Sequence, residues 1–184
     1  TLVSLTLASG IENVIVSGNR DLYAFGNSAG NVLIGNSGAN KLYGYSGADV
    51  IRGESGNDKL SGGSNDDQLF GGAGRDAIYA NSGSDLIVGG LGRDLLVGGH
   101  GMDIFKFNQG DGVDWIRNFE LGVDKIDISD FDFATFAELA PLIRDYSGRA
   151  NVRLDGVDDL IRFIGIQSNQ LTEGDFIFNQ LASG

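Results

Sequence analysis

Large apolar residues return at every ninth position along the middle of this chain. From residue 26 to residue 106 the sequence divides without a gap into nine-residue units, and position eight of each unit is apolar. This column consists of Leu33, Leu42, Ile51, Leu60, Leu69, Ile78, Ile87, Leu96 and Phe105. A fixed period indicates stacked units that share one core. The column therefore predicts one continuous hydrophobic core.

Position six of the same units carries a polar series. It is Asn in the first two units and Asp in all that follow: Asn31, Asn40, Asp49, Asp58, Asp67, Asp76, Asp85, Asp94 and Asp103. Positions one and four are nearly always glycine, with Ala29, Asn65 and Ala80 as the departures. In the Asp-bearing units these glycines are Gly44, Gly47, Gly53, Gly56, Gly62, Gly71, Gly74, Gly83, Gly89, Gly92, Gly98 and Gly101. We expect glycine there because the backbone must reach φ > 0 and approach an ion closely, so both sets are candidate metal ligands.

The division of each unit into a six-residue turn and a three-residue strand predicts the fold. Successive units then lie on opposite sides, and two units make one coil of 18 residues. The predicted fold class is all-β: a right-handed parallel β-roll, a solenoid of two sheets, with a small C-terminal cap that contains a short helix. Position-six side chains stack in two columns at the strand spacing of about 4.8 Å. One column runs from Asn31 to Asp103 and the other from Asn40 to Asp94.

The composition of the chain limits which ligands these columns can bind. The chain carries 25 acidic and 13 basic residues, a formal net charge of −12, which opposes binding to nucleic acid or to anionic membranes. Carboxylate oxygens suit hard cations such as Ca²⁺. The absence of cysteine excludes disulfides and thiolate metal sites. Calcium is therefore the predicted cofactor.

Stacked carboxylates need such a cation. Neighbouring rungs repel by roughly 3 kcal/mol at an effective dielectric near 20, whereas a Ca²⁺ between two rungs takes carboxylate oxygens from both and turn carbonyls for the rest. We predict about five strong sites, with weaker ones raising the total to about eight. The strong pairs are Asp49/Asp67, Asp67/Asp85, Asp85/Asp103, Asp58/Asp76 and Asp76/Asp94. Asn31/Asp49 and Asn40/Asp58 are predicted to be weaker or empty.

The units resemble the GGxGxDxUx repeats of RTX (repeats-in-toxin) proteins, a motif known to bind Ca²⁺. Segments beyond the array, such as Asp114-Trp115-Ile116 and residues 171–178, are similar to strands that close serralysin-type C-terminal domains. The resemblance implies type I secretion through an uncleaved C-terminal signal and folding outside the cell on contact with calcium. Expected partners are the type I secretion machinery and an attached domain of a longer protein.

The flanks of the array are expected to act as caps. We predict metal-poor coils or a cap over residues 1–25, the array over 26–106 and a capping region with a possible secretion signal over 107–184. Residues 133–145 show helical spacing that Pro141 interrupts. Residues 152–154 and 160–166 are predicted strands around an Asp155-Gly156 turn.

The start of the sequence suggests a fragment. The first residues lack an initiator Met and the features of a signal peptide, so we expect a piece of a longer protein. No apolar run approaches the roughly 18 residues of a membrane span.

No set of residues supports catalysis. Ser28 lies in a GxSxG match, and His100 is the single histidine, but both occupy position three of repeat units. A strand, elbow and helix do not surround Ser28, and His100 is predicted to be a surface turn residue. We therefore predict that this chain is not an enzyme, whatever the activity of the parent protein.

A second group of acids follows the array. We interpret Asp111, Asp114, Asp124, Asp127, Asp130 and Asp132 as turn and surface acids. Asp111 or Asp114 is the best candidate among them for one further calcium site.

Positions seven and nine should point outward. In one sheet they are mostly apolar, from Val32 to Lys106, and we predict that the cap, a neighbouring domain or a second copy covers them. In the other sheet Lys41, Lys59 and several tyrosines share one stripe with Arg75 and Arg93 in the adjoining turns.

Two functions follow from these features. The first is a secreted, extracellular calcium-binding module that folds after export and supports an attached effector domain. The alternative is a carbohydrate-binding accessory module for an acidic polysaccharide, resembling the R-modules of mannuronan epimerases.

Overall fold

The nonapeptide units form a solenoid of two facing β-sheets. A computed structural model of the chain describes residues 3–154 and 159–179. It shows an all-β parallel β-solenoid of about seven turns with 18 residues per turn and one short helix near the C-terminus. The predicted fold class is confirmed.

The strands are short and follow the repeat. They are β1 (Val3–Thr6), β2 (Asn13–Ile15), β3 (Leu22–Phe25), β4 (Val32–Ile34), β5 (Lys41–Ser46), β6 (Val50–Ser55), β7 (Lys59–Ser64), β8 (Gln68–Gly74), β9 (Ala77–Ser82), β10 (Leu86–Gly92), β11 (Leu95–His100), β12 (Ile104–Lys106), β13 (Val113–Arg117), β14 (Lys125–Asp127), β15 (Ile143–Tyr146), β16 (Arg149–Arg153), β17 (Leu160–Ile164) and β18 (Phe176–Ile177).

Successive strands alternate between the two sheets, as the coil of two units requires. The ten-stranded sheet has the order β1-β3-β5-β7-β9-β11-β13-β17-β16-β15, and the eight-stranded sheet has the order β18-β14-β12-β10-β8-β6-β4-β2. Within the array each residue pairs with the one 18 positions on, as in Leu42 with Leu60 and Ile51 with Leu69. The turns at the two edges therefore stack with the same period.

The core lies between the sheets and consists of the position-eight column. All residues of that column, from Leu33 to Phe105, are fully buried. Because pairing in register places each beside its equivalent in the next coil, one apolar position per unit is enough to build a continuous core. The predicted core column is confirmed.

The first coils keep the same architecture with a different length. Val3 pairs with Leu22 and Val14 pairs with Leu33, so these coils contain 19 residues instead of 18. The extra residue explains why the sequence period slips before residue 26. That residues 1–25 bind little metal stays a prediction.

The C-terminal strands extend both sheets with longer connections. Strand β13 pairs parallel with β17, which continues antiparallel into β16 and β15. Strands β14 and β18 continue the other sheet. Cover of the apolar outer face of the eight-stranded sheet by the cap, a neighbouring domain or a second copy stays a prediction.

The predicted helix over residues 133–145 is wrong in extent. The α-helix α1 covers only Phe136–Leu139 and passes into a 3₁₀ helix at Ala140–Leu142, while further 3₁₀ turns lie at Ser168–Gln170 and Glu173–Asp175. Pro141 provides no backbone N–H for a continued α-helix. The residues after it form β15, which pairs antiparallel with β16.

Other expectations for this region have mixed outcomes. The strands around residues 152 and 160 are present as β16 and β17. The Asp155-Gly156 turn between them lies outside the described residues. Among the described residues, no helix is long and apolar enough to cross a membrane.

Candidate metal centres

The position-six aspartates lie at the ends of the turns, one residue before each strand. From Asp49 to Asp103 they are at most 3% exposed. None of the ion pairs among the described residues includes these aspartates, and a buried carboxylate without an ion pair is unfavourable because it loses its hydration. These turns therefore contain charges that require a partner.

A ladder of hydrogen bonds stacks these residues in the two predicted columns. The backbone N–H of each donates to the carboxylate Oδ1 of the equivalent residue one coil on, with N···O distances from 2.7 to 3.1 Å. The ladder starts at Asn31 in one column and at Asn40 in the other. It uses one oxygen of each carboxylate.

The second carboxylate oxygen has no partner. Oδ2 is buried and accepts no hydrogen bond in Asp49, Asp58, Asp67, Asp76, Asp85, Asp94 and Asp103. Buried polar atoms in native proteins almost always have a partner. Seven such oxygens, repeated with the coil, therefore fit a cation held in each of these turns.

Burial raises the pKa of these carboxyl groups, against the effect of the ladder hydrogen bonds. The pKa values rise to about 6 for Asp49 and Asp76 and to about 7 for Asp58, Asp67, Asp94 and Asp103. The pKa of Asp85 is also raised. Loss of hydration is the main cause, so a bound cation is what would favour the charged forms.

Glycine at position one leaves room for the orphaned oxygen. A Cβ at Gly44 would lie 2.1 Å from Asp49 Oδ2, and one at Gly98 would lie 2.2 Å from Asp103 Oδ2. These glycines do not have positive φ, so that part of the prediction is wrong for position one. Positive φ occurs at position four, as at Gly56, and also at position two, where Tyr45 and Glu54 adopt it.

Asn40 shows what surrounds the orphaned oxygens. Its amide Nδ2 lies where an aspartate would place Oδ2, beside the position-one glycine. It donates to the carbonyls of Gly38 at 2.8 Å and Asn36 at 3.3 Å, and to Asp58 Oδ1 at 3.0 Å, and lies 3.4 Å from the Gly53 carbonyl. This position is thus enclosed by oxygen atoms from two successive coils.

Comparison with known families identifies the array. The profile of the RTX calcium-binding nonapeptide repeat, in four copies, matches residues 25–60, 43–78, 61–96 and 79–114. Residues 25–114 belong to the RTX calcium-binding repeat family. The resemblance seen in the sequence is confirmed.

Solved structures resemble the RTX array at low sequence identity. One is the extracellular lipase LipA from Serratia marcescens, with 12% identity, a TM-score of 0.44 and coverage of 85% of this chain. The chain spans 40% of the length of that lipase. Another is the AlgE6R3 subunit of the Azotobacter vinelandii mannuronan C5-epimerase, with 20% identity, a TM-score of 0.40 and coverage of 96% of this chain and 89% of the subunit. Comparison with curated proteins gives no match.

The turns of the RTX array fit a calcium ion by their donor set. Each offers an orphaned carboxylate oxygen, the carboxylate one coil on and neighbouring carbonyls, and Ca²⁺ accepts six to eight such oxygens. Among the described residues, no three His, Cys, Asp or Glu side chains converge as a metal-binding group. Backbone carbonyls must therefore supply much of the coordination, which agrees with the surroundings of Asn40.

Asn31 and Asn40 explain why the first rungs differ from the others. The Asn40 amide donates hydrogen bonds into the oxygen cage, so this turn is neutralised without a metal. Asn31 instead accepts from the Asn27 N–H at 2.8 Å and donates to Asn27 Oδ1 at 3.3 Å. Both arrangements favour the prediction that these turns bind calcium weakly or not at all.

The interpretation of the second acidic group as surface residues is wrong for three members. Asp111, Asp114 and Asp124 are at most 6% exposed. The N–H of Asp94 donates to Asp114 Oδ1 at 2.8 Å, and that of Asp103 donates to Asp124 Oδ1 at 3.0 Å. Both aspartates precede an apolar residue by two positions, as in the repeats, and this signal was available in the sequence. Asp127 is half-buried, and Asp130 and Asp132 are exposed.

Ser28 and His100 do not meet. Ser28 is exposed in a turn, and the His100 side chain is 92% exposed with Nδ1 3.8 Å from Glu120. They belong to turns four coils apart, about 19 Å at the strand spacing. The GxSxG match is thus explained by the nonapeptide repeat.

The raised pKa values predict that the calcium-free chain becomes less stable as the pH rises. Folded pKa values of about 6 to 7 exceed the unfolded value of about 3.9, so the folded state binds protons more tightly. The resulting stabilisation is full below about pH 4 and is lost as the pH rises through about 6 to 7. In chelator, the folded fraction of the chain should therefore be higher at pH 5 than at pH 8.

The measurement is far-UV circular dichroism of the calcium-free chain at both pH values. Asp76→Asn removes one titrating carboxyl and keeps the Oδ1 acceptor, so its folded fraction should depend less on pH. Stability that rises with pH in chelator would contradict the prediction.

Proposed function

We propose that this chain is an extracellular calcium-binding module that folds when calcium fills its turns and then supports an attached domain. The observation that carries the proposal is the set of orphaned, buried Oδ2 atoms repeated along both columns. Among the described residues, none of the ion pairs includes these carboxylates. Removal of calcium with a chelator tests the proposal.

The residues that would hold the ions lie in successive coils. The position-six carboxylates of two coils would bind each ion, together with carbonyls of the turns next to the position-one and position-four glycines. The bound Ca²⁺ would supply the positive charge that the buried oxygens lack. The chain itself stacks the carboxylates through the ladder and leaves space at Gly44 and its equivalents.

The free energy that calcium binding adds to the folded state is large enough to make folding depend on calcium. Extracellular sites bind with dissociation constants of about 10⁻⁴ to 10⁻³ M. At about 10 mM Ca²⁺ each such site contributes roughly 1.4 to 2.7 kcal/mol. Five such sites provide stabilisation of about the size of a small domain's net stability. Calcium levels outside the cell thus decide whether the module is folded.

Export and the attached domain are parts of the same proposal. RTX repeats accompany type I secretion by family association, and a fold that needs millimolar calcium stays open for export where calcium is low. A parallel solenoid gives a long rigid support once filled. The attached domain would bring the effector activity, since the repeat array has a structural, calcium-binding character.

A carbohydrate-binding role is a second candidate, favoured by the outer face of the ten-stranded sheet. Lys41 Nζ lies 4.8 Å from the Tyr23 ring centre and Lys59 Nζ 5.2 Å from that of Tyr79. A groove farther along this sheet is lined by Arg75, Arg93 and Trp115, among others. Basic and aromatic groups in one stripe suit an acidic polysaccharide.

Calorimetry with oligomannuronate in excess calcium tests this second role. We expect binding heat that Lys59→Glu combined with Arg75→Glu abolishes, because both change the charge of the stripe. The matched control is Arg52→Glu with Lys106→Glu, which makes the same change of net charge on the eight-stranded sheet, away from the stripe. Absence of heat, or equal loss in both double variants, contradicts carbohydrate binding and leaves the calcium module unaffected.

A further inference from the structure

The last aspartates of the two columns have the same features as those inside the array. Asp94 Oδ2 and Asp103 Oδ2 are buried without a partner. Cβ atoms at Gly89 and Gly98 would lie 2.6 and 2.2 Å from these oxygens. No further nonapeptide follows that would provide a next rung, so pairs of repeat aspartates do not account for these two orphaned oxygens.

The region after the array provides the next rungs. Asp114 lies in β13, and Asp124 directly precedes β14; they are 1% and 0% exposed, respectively. Their Oδ1 atoms accept the N–H groups of Asp94 and Asp103 at 2.8 and 3.0 Å. These are the same ladder bonds that join aspartates within the array.

The longer turns keep these two aspartates in the columns. Leu95 pairs with Trp115 and Ile104 pairs with Lys125, so the last coils contain 20 and 21 residues. The extra residues lie in the turns before Asp114 and Asp124, whereas the strands stay paired in parallel. The change of spacing conceals the two rungs in the sequence but leaves their geometry intact.

Both columns end at these rungs. Asp124 Oδ2 accepts the Glu120 N–H at 2.8 Å, and the Asp124 N–H donates to the Glu120 carbonyl at 2.9 Å, so Asp124 offers no ladder bond to a later coil. The N–H of Asp114 belongs to strand β13, which pairs with β17. Asp111 adds a buried carboxylate that interacts electrostatically with Asp94 and Asp114.

We propose that two further calcium sites join the array to the C-terminal region, one between Asp94 and Asp114 and one between Asp103 and Asp124. This proposal rests on the proposed function, since it takes calcium as the ion of the array. It raises the expected number of strong sites from five to seven, one for each orphaned Oδ2. Docking of the C-terminal strands onto the array then depends on calcium directly.

Counting of bound calcium by equilibrium dialysis and native mass spectrometry tests the proposal. The wild-type chain should bind seven strong ions, matching its orphaned oxygens, and Asp114→Asn and Asp124→Asn should each lose one. Asn retains the Oδ1 acceptor of the ladder bond in both variants, and Asp124→Asn also removes the Oδ2 acceptor of the Glu120 N–H. The matched controls are Asp130→Asn and Asp132→Asn, which remove exposed carboxylates from the same region and should lose none.

Trp115 provides a second measurement. It is the single tryptophan of the chain and directly follows Asp114, so selective excitation of it should sensitise terbium luminescence from the first of the two sites. Asp114→Asn should lower this signal to that of the site at Asp76 and Asp94, which line the same groove as Trp115, and Asp132→Asn should keep it.

The outcomes separate this proposal from the proposed function. Five strong ions in wild type, unchanged in the Asp114 and Asp124 variants, would overturn the two extra sites and leave the calcium module standing. Absence of calcium binding would overturn both. If a variant does not fold in excess calcium, the number of strong ions in the wild-type chain decides: seven support the two extra sites, and five overturn them.

Discussion

In the presence of a chelator at neutral pH, this chain should be largely unfolded, and millimolar calcium should restore its β structure in one cooperative transition. The reason is the charge in the turns. Each column stacks carboxylates at the strand spacing, where neighbours repel by roughly 3 kcal/mol at an effective dielectric near 20. Their Oδ2 atoms also lose hydration without gaining a hydrogen bond.

Far-UV circular dichroism with added calcium measures the transition directly. Magnesium at the same concentration is the matched control, because its small octahedral shell retains water and fits a cage of turn carbonyls poorly. Magnesium should therefore restore much less β signal. A chain that is equally folded and equally heat-stable with and without calcium would contradict the proposed function.

Asp76→Ala should destabilise the calcium-loaded chain far more than Asn31→Ala. Asp76 lies in the middle of its column and would belong to two sites, with Asp58 on one side and Asp94 on the other. Loss of two sites removes about 3 to 5 kcal/mol of linkage at about 10 mM calcium. The Asp58 N–H also loses its acceptor, which adds about 1 to 3 kcal/mol for an unsatisfied buried donor.

Asn31→Ala should lower the free energy of unfolding much less. Its side chain bonds with Asn27, and its backbone N–H still donates to Asp49 Oδ1. We expect a loss of about 1 kcal/mol, typical of a hydrogen bond. Urea titration in saturating calcium compares the two variants. Equal shifts of the midpoint would show that the stacked columns do not carry the stability.

The repeat array was predictable because two nine-residue units of the sequence correspond to one coil of the structure. When two units make one coil, residues 18 positions apart are neighbours, so a column in the sequence is a column in space. The buried series from Leu33 to Phe105 and the hydrogen-bond ladder from Asn31 to Asp103 both follow from this 18-residue spacing. One local rule, repeated, specifies the long-range contacts.

The sequence alone was a poor guide where the coil length changes. Asp114 and Asp124 continue the columns at spacings of 20 and 21 residues, which no fixed period reveals. The tertiary structure brings them into line because parallel pairing of β13 and β14 with the array fixes the strand positions. The turns between the strands absorb the extra residues.

The C-terminal region shows the same limit for secondary structure. Helical spacing of apolar residues predicted one helix up to residue 145, yet β15 begins at Ile143. Pairing of Ile143 with Val152 in the antiparallel hairpin of β15 and β16 outweighs a weak local propensity.

The sequence by itself determined the solenoid, its core and the two columns of aspartates, since these depend on a pattern that is repeated in every unit. Only the tertiary structure decided how the columns end, because contacts at an end occur once and have no period. In the first coils, the Asn40 amide donates to the carbonyl of Gly38. At the other end of the array, Asp124 Oδ2 accepts a hydrogen bond from the Glu120 N–H. Those contacts depend on distances between separate turns, which residue order alone does not encode.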